Sequence, residues 1–511
     1  MAPALVALVG WTLFAFAGAY RWTLVPLFAG VVGLAAMARP RIASPPHTTI
    51  DLGLIACLAA IGSQIVPVPA GLRGALSPAA REVDRTLLLA ATDSARPLSL
   101  DPHATAWALA TGLTAVLAFW SARTVFERGG LRRVSRGISL CGLVLVTIAF
   151  VQHARTPHLI YGFWPPITRT ATPTTYGPFV NRNDFATWLL LALPLVVGGG
   201  LARLQSRWRG GSMGQVVRAV ESTLDTPTVV MTASVALMTA GLVASLSRSG
   251  LAGGAAAVMA VLVLGHPRLG LRRSLALLAL TVAVLLVAAP YANLSALAGR
   301  LGDSLPADVH GRVEIWRSTW PMARDFAAVG TGVGAFERGM LVYQQAPRLL
   351  FFNHAHNEFL QLFAEGGLLV GVPAAWTFGA ACLQARRQIR ADRSAVFWLR
   401  VGAAASLVAV AVQSVWDTGL RMPANAVLFA IVAAVALHDR TPRPGASSRV
   451  GENGLTHPRQ EIERSRKGQA PTRQAGRDGA RSGELRAQPL AVRRVEHEAL
   501  RHQRERGVAD R

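Results

Sequence analysis

The stretch FATWLLLALPLVVGGGL, Phe185–Leu201, holds no charged residue. A helix needs roughly 17–25 residues to cross the hydrocarbon core of a bilayer, and this run has that length. Arg203, Arg207 and Arg209 follow it directly. Apolar runs bounded by arginines recur as far as about residue 438, with further cores at Ala4–Ala19, Ala104–Trp120, Leu275–Pro290 and Met422–Leu437. The 511-residue chain is 51% hydrophobic and 16% charged, against about 25% charged in an average soluble domain. These features predict an all-α, polytopic integral membrane protein of about twelve transmembrane helices, occupying residues 1–438.

Arginine placement sets the expected orientation. Clusters follow alternate runs: Arg39 and Arg41 after the second, Arg123 to Arg136 after the fourth, Arg203 to Arg209 after the sixth. Arg268 to Arg273 follow the eighth, and Arg386 to Arg393 the tenth. Positive loops stay in the cytoplasm, so both termini are expected there, with a basic tail over 439–511 that reads as disordered. The net charge of +24 is distributed in this way and forms no aromatic-interleaved basic patch, which argues against nucleic acid as a partner. Contact of the tail with anionic membrane lipid fits the same charge. Cys57, Cys141 and Cys382 all lie in apolar runs and read as packing residues. The N-terminus has no basic region of the kind that opens a cleavable signal.

Three long loops then fall on the opposite side: about 67–103, 154–183 and 291–358, the last immediately before the tenth helix. In the first, SPAAREVDRTLLLAA begins with Ser77 and Pro78, an N-cap and first-turn pair for an amphipathic surface helix. Orientation explains an arginine on the cytoplasmic side but not one on this side. Two stand out. Arg248 lies in SLSRSG, Ser245–Gly250, a short turn between the seventh and eighth runs. It reads either as a snorkelling helix-end arginine or as an anion ligand beside small, donor-rich residues. Arg312 lies in HGRVEIWRSTW, His310–Trp320, where Arg312, Trp316 and Trp320 share a face if the segment is helical. This segment reads either as a plain amphipathic helix or as an interfacial one holding its cation near headgroups. VGTGVGAF, Val329–Phe336, predicts a tight turn.

FFNHAHNEFLQLFAEGGLLVG, Phe351–Gly371, ends the third loop and enters the tenth run. His354 and His356 stand at i and i+2, which puts them on different sides of a helix, and no further ligand set has metal spacing. Two readings stay open for the pair: polar groups at a helix start, or a general base. A neutral imidazole with an ordinary pKa of about 6.5 accepts a proton from a hydroxyl at neutral pH. Asn357 and Glu358 then orient the ring or bind substrate hydroxyls.

Four segments together resemble the O-antigen ligase and Wzy-type polymerase superfamily: GPFVNRNDFATWLL (Gly177–Leu190), SLSRSGL, GRVEIWRSTW with GTGVGAF, and NHAHNEFLQLFAEGGLLVG. PLSLDPHATAW (Pro97–Trp107) adds to the likeness, which spans about 70–440. Each motif is weak alone; their order and topology carry the resemblance. AAVGTG departs from it, since many members have a proline before the first glycine. The resemblance implies a glycosyltransferase in the cell inner membrane that needs no metal or other cofactor and inverts the sugar linkage. The implied donor is a glycan on undecaprenyl diphosphate. The implied acceptor is a hydroxyl on lipid A core, on a second lipid-linked glycan as in O-antigen or exopolysaccharide polymerisation, or on a protein. The corresponding positions are Arg248 and Arg312 for the diphosphate and His356 for the acceptor hydroxyl, with His354 in reserve. Asn357, Glu358, Asn181, Arg182, Asn183, Asp184 and Trp316 fall among the supporting and substrate-binding positions. A lipid-linked glycan transporter or flippase is the competing class. It would place ionisable groups and broken helices at mid-membrane depth, whereas here the polar residues concentrate at one boundary.

Overall fold

The computed structural model describes residues 1–87, 94–166, 174–207, 225–291, 305–345, 351–394 and 396–438. The basic tail, Arg209, residues 88–91 of the SPAA segment, and parts of the second and third long loops lie outside the described residues.

The described residues are mostly helical. In order, the helices are α1 (Ala2–Phe14), α2 (Arg21–Ala38), α3 (Thr48–Ser63), α4 (Ala70–Leu76), α5 (Pro78–Thr86), α6 (Pro102–Glu127), α7 (Leu131–Arg155) and α8 (Arg182–Arg207). They continue with α9 (Thr226–Ala244), α10 (Arg248–Tyr291), α11 (Leu305–Asp325), α12 (Phe336–Tyr343), α13 (Glu358–Ala391), α14 (Phe397–Gln413) and α15 (Pro423–Ala436). Two-residue strands, β1 (Pro67–Val68) and β2 (Arg96–Pro97), pair antiparallel, with Pro67 opposite Pro97. Among the described residues, eight helices are long and apolar enough to cross a membrane: α2, α6 to α10, α13 and α14. The shorter apolar helices α1, α3 and α15 accompany them. The expected eighth and ninth runs form the single element α10, bent at Gly270, where φ is 69°. The chain is thus a polytopic, all-α membrane protein.

α8, the helix read first, is buried on every side. Phe185 through Ala192 are each 1% exposed or less, the signature of a central helix. It packs on α14 backbone to backbone. A Cβ on Gly198 would sit 2.3 Å from the carbonyl oxygen of Trp398, and one on Gly402 at 2.3 Å from that of Pro194. Small residues permit this approach, and Ser406 Oγ donates to the Leu191 carbonyl at 2.9 Å across it.

The expected first-loop helix is present as α5. Ser77 takes the N-cap position without a side-chain capping bond. Arg73 and Arg96 reach Asp84 at 2.6 and 2.8 Å and fix this helix to its neighbours. Val83, Leu100, Met322, Phe326, Phe336, Met340 and Ala355 make a separate small core that joins α5, α11 and α12 to the His-Ala-His segment.

α13 is broken. Gly367 has φ 55° and ψ −157°, so the ladder of helical hydrogen bonds stops there. The expected glycine turn after α11 supplies the missing partners. The N–H groups of Thr331 and Gly332 donate to the Ala364 and Glu365 carbonyls at 3.0 and 2.9 Å, while Leu368 and Leu369 donate to Ala327 and Ala328 at 2.7 and 3.0 Å. Gln64, at the end of α3, seals the seam. Its Nε2 donates to Val329 and Glu365 carbonyls at 2.7 and 3.0 Å, and its Oε1 accepts from Val333 N–H at 3.0 Å. A discontinuous helix is tolerated at such depth only where the freed backbone groups are satisfied by protein.

The seam admits no Cβ at Gly330, which has φ 73° and where an added carbon would lie 2.0 Å from the Glu365 carbonyl oxygen. Gly371, further along α13, has nothing within 4 Å. Gly330→Ala is expected to abolish recovery of folded, monodisperse protein in detergent, and Gly371→Ala to leave the unfolding midpoint unchanged or slightly raised. Size-exclusion profiles and thermal unfolding check this.

Candidate functional site

Five segments converge at one end of the bundle: the start of α8, the α9–α10 turn, α11, the segment entering α13, and the turn between α14 and α15. Local capping explains how each arrives. Asn181 is exposed and its Oδ1 accepts from Asn183 N–H at 2.9 Å, starting α8. Asn183 Oδ1 accepts from Ser247 Oγ at 2.8 Å, and its carbonyl accepts from Gln413 Nε2 at 3.1 Å. These bonds join α8 to the serine turn and to the end of α14. Arg248 is the first residue of α10 and is half-buried between Ser247 and Ser249. Arg182, also half-buried, is the first residue of α8.

Asn357 is the N-cap of α13, its Oδ1 accepting from Leu360 N–H at 3.0 Å. Glu358 N–H donates to the Ser414 carbonyl at 2.8 Å, which locks this helix start to the end of α14. The capping places His356 before the helix, in a left-handed conformation with φ 50°. A face shared by His356, Leu360, Phe363 and Gly367 therefore does not form: the helix begins after the first of these residues and is broken at the last. A non-glycine residue held at positive φ costs on the order of 1–3 kcal/mol and persists where its surroundings impose it. Here Ala355, just before His356, is held through both of its main-chain polar groups. Its N–H donates to Gln361 Oε1 at 2.9 Å and its carbonyl accepts from Trp316 Nε1 at 2.9 Å.

The His356 ring faces Asp417, with Nδ1 4.0 Å from Oδ1; the histidine side chain is 32% exposed and the aspartate 2%. Asp417 also accepts from Thr418 N–H at 2.8 Å and from Ser249. Arg312 adds its positive charge to the neighbourhood of both His356 and Asp417. Burial lowers the His356 pKa and Arg312 lowers it further, against the upward pull of Asp417. Burial raises Asp417, while His356 and Arg312 oppose that rise. His354 is pushed down to about 3 by burial, with Arg421 and His356 adding to the effect. His354 is therefore neutral throughout the physiological range, and its Nδ1 lies 3.3 Å from Gln361 Nε2.

Of the residues anticipated from sequence, the structure brings His356, Arg312, His354, Asn357, Glu358 and Trp316 into one locality, and Ser249 ties the Arg248 turn to it through Asp417. Asn181, Arg182 and Asn183 stand at its edge, on α8. The side chain of Asn357 is used in the cap, and Glu358 faces Arg421, whose Nε lies 3.4 Å from Oε1. Neither is the partner of the His356 ring; Asp417 takes that place. Trp320, expected on the face of Trp316, is 58% exposed.

Asp417 and Arg421 are the residues that sequence reading missed. They lie in VWDTGLR, Val415–Arg421, between the last two apolar runs. That turn falls on the non-cytoplasmic side by the arginine pattern, so the test that selected Arg248 and Arg312 selects Arg421 too. Glu365 gives a similar signal, as a carboxylate inside an apolar run. It is fully buried and pairs with Arg421 Nη1 at 2.8 Å.

Residues 233–375 match the family model Wzy_C, O-antigen ligase, and place this part of the chain in the O-antigen ligase superfamily. The matched segment runs from α9 through the break in α13 and so contains Arg248, Arg312, His354 and His356. Its members are glycosyltransferase-type enzymes that act on lipid-linked glycans. No curated protein matches the chain.

Removing one partner of a buried ion pair leaves an uncompensated charge, at a cost of about 3 kcal/mol or more. Arg421→Met is expected to lower the unfolding midpoint in detergent strongly, and the Arg421→Met/Glu365→Met double variant to recover part of the loss. Thermal unfolding of the purified variants checks this order.

Proposed function

We propose that the chain transfers a glycan from undecaprenyl diphosphate to a hydroxyl acceptor by direct displacement at the anomeric carbon, on the non-cytoplasmic face of the inner membrane. In this reading the twelve apolar segments all span, and both termini are cytoplasmic. The observation that carries it is the His356–Asp417 pair with Arg312 beside it and the Arg248 turn tied to it through Ser249; His356, Arg312 and Arg248 lie within the superfamily match.

The geometry supports the following chemistry. With Nδ1–H directed at Asp417, the His356 tautomer leaves Nε2 as the acceptor of a proton. Asp417 also stabilises the imidazolium once it forms, much as an aspartate does in hydrolytic triads. Nε2 takes the proton of the acceptor hydroxyl while its oxygen bonds to the anomeric carbon. The bond from that carbon to the diphosphate oxygen breaks, and the electron pair leaves with undecaprenyl diphosphate. Arg312 and Arg248 neutralise the charge that develops on this leaving group, and guanidinium matches phosphate oxygens bidentately. A single displacement inverts the anomeric configuration, and the step uses no metal or cofactor.

Within this class, polymerisation of lipid-linked glycans is the favoured activity, since a second copy of the lipid-linked glycan serves as acceptor and no other outer-leaflet acceptor is needed. Ligation to lipid A core and transfer to protein are the other acceptor choices. The surface glycans of a deletion strain separate them. Single repeat units without long chains indicate polymerase; lipid A without any glycan indicates ligase; unchanged envelope glycan with an unmodified protein indicates protein transfer. A flippase would instead leave lipid-linked precursor on the cytoplasmic face.

His356→Ala is expected to lower the transfer rate by about 10²–10⁴-fold, with precursor accumulating on the non-cytoplasmic leaflet, and His354→Ala to have a smaller effect. The base works only when neutral, and burial lowers its pKa. The acid limb of kcat/KM is therefore expected below the ordinary histidine value of about 6.5, with activity level from there up to pH 8. A rate assay with lipid-linked donor across pH 5 to 8 locates the limb.

A further inference from the structure

Gln361 and Glu365 are each 1% exposed or less, lie one turn apart on α13, and play no direct part in the displacement above. Their hydrogen bonds form a chain that runs from the helix break to the turn carrying His356. Glu365 Oε1 accepts from Phe336 N–H at 3.2 Å and from Gln361 Nε2 at 3.1 Å. Its other oxygen pairs with Arg421 at 2.8 Å. Because Glu365 engages the amide nitrogen, the Gln361 amide is fixed with Oε1 toward Ala355 N–H, at 2.9 Å. An unanchored amide could turn over and present its NH₂ group to that N–H. Trp316 secures the opposite side of the same residue through its carbonyl. The residue that follows is His356, in its left-handed conformation.

We propose that Gln361, oriented by Glu365 and Arg421, is a positioning residue that holds the turn before α13 so that the His356 ring meets Asp417 and the acceptor hydroxyl together. This rests on His356 acting as the base. Ring placement is the quantity at stake, since a displacement of about 1 Å can cost 10²-fold in rate. Gln361→Leu keeps the helix and the volume but removes the acceptor for Ala355 N–H, the donor to Glu365 and the contact with His354 Nδ1. Trp316→Phe keeps an aromatic ring and removes only the donor to the Ala355 carbonyl.

The test is a double-mutant comparison in detergent or liposomes, using lipid-linked donor and measuring kcat and donor KM for His356→Ala, Gln361→Leu, Trp316→Phe and each combined with His356→Ala. For Gln361→Leu the account predicts folded protein, kcat lower by about 10- to 100-fold, donor KM within about twofold, and no further loss when His356→Ala is added. Trp316→Phe should follow the same pattern with a smaller loss. Full kcat in folded Gln361→Leu, or a loss that multiplies with that of His356→Ala, overturns the inference. If Gln361→Leu does not fold, Trp316→Phe decides by the same two criteria. Near-normal activity in His356→Ala instead overturns the assignment of the base, whatever Gln361→Leu shows.

Discussion

A helix interrupted inside a membrane protein must have its unpaired backbone groups satisfied by something other than water. In this chain the break at Gly367 is closed by the glycine turn after α11, through four backbone hydrogen bonds, and by the side chain of Gln64 from α3. Much else depends on that closure. It ties α11, with Arg312 and Trp316, to α13, and the segment that enters α13 carries the histidines. It also brings the buried carboxylate of Glu365 to the point where Arg421 and Gln361 meet it. The site is therefore assembled from segments far apart in sequence, around one seam of main-chain bonds.

Charge is distributed with equal economy between the two ends of the bundle. At the end opposite the site, arginines are tied to carboxylates and carbonyls: Arg123 to Asp51 at 2.5 Å, Arg203 to Asp225, and Arg268 to the Asp392 and Ser394 carbonyls. These bonds fasten helix ends. At the site end, Arg421 is committed to Glu358 and Glu365, while Arg312 lends its charge to His356 and Asp417. The first arginine is committed to two carboxylates of α13, while the second is the one to which the proposed reaction gives a role.

That contrast shows how far sequence reading reaches here. The all-α membrane class was legible because apolar runs of spanning length are a one-dimensional signal. Arg312 and the Ser-Arg turn were legible because they break the alternation of arginine-rich and arginine-poor loops. The partner of the histidine was not. Asp417 lies 61 positions beyond His356, and long-range contacts such as the bond from Glu358 N–H to the Ser414 carbonyl and the Arg421–Glu358 pair bring the α14–α15 turn beside it. The helix break was not read either, because GG in an apolar run is equally compatible with a continuous helix. Its signature lies in the pairing with the distant glycine turn, where an added Cβ at either Gly330 or Gly367 meets the other segment's backbone.

The account's central claim is a single displacement at the anomeric carbon with His356 as base. The most direct test is the configuration of the new glycosidic bond, measured by NMR on product made by purified protein from a donor of known anomeric configuration. The account predicts inversion in every linkage formed. Retention would require a covalent glycosyl-enzyme intermediate, for which this arrangement assigns no nucleophile, and would contradict it.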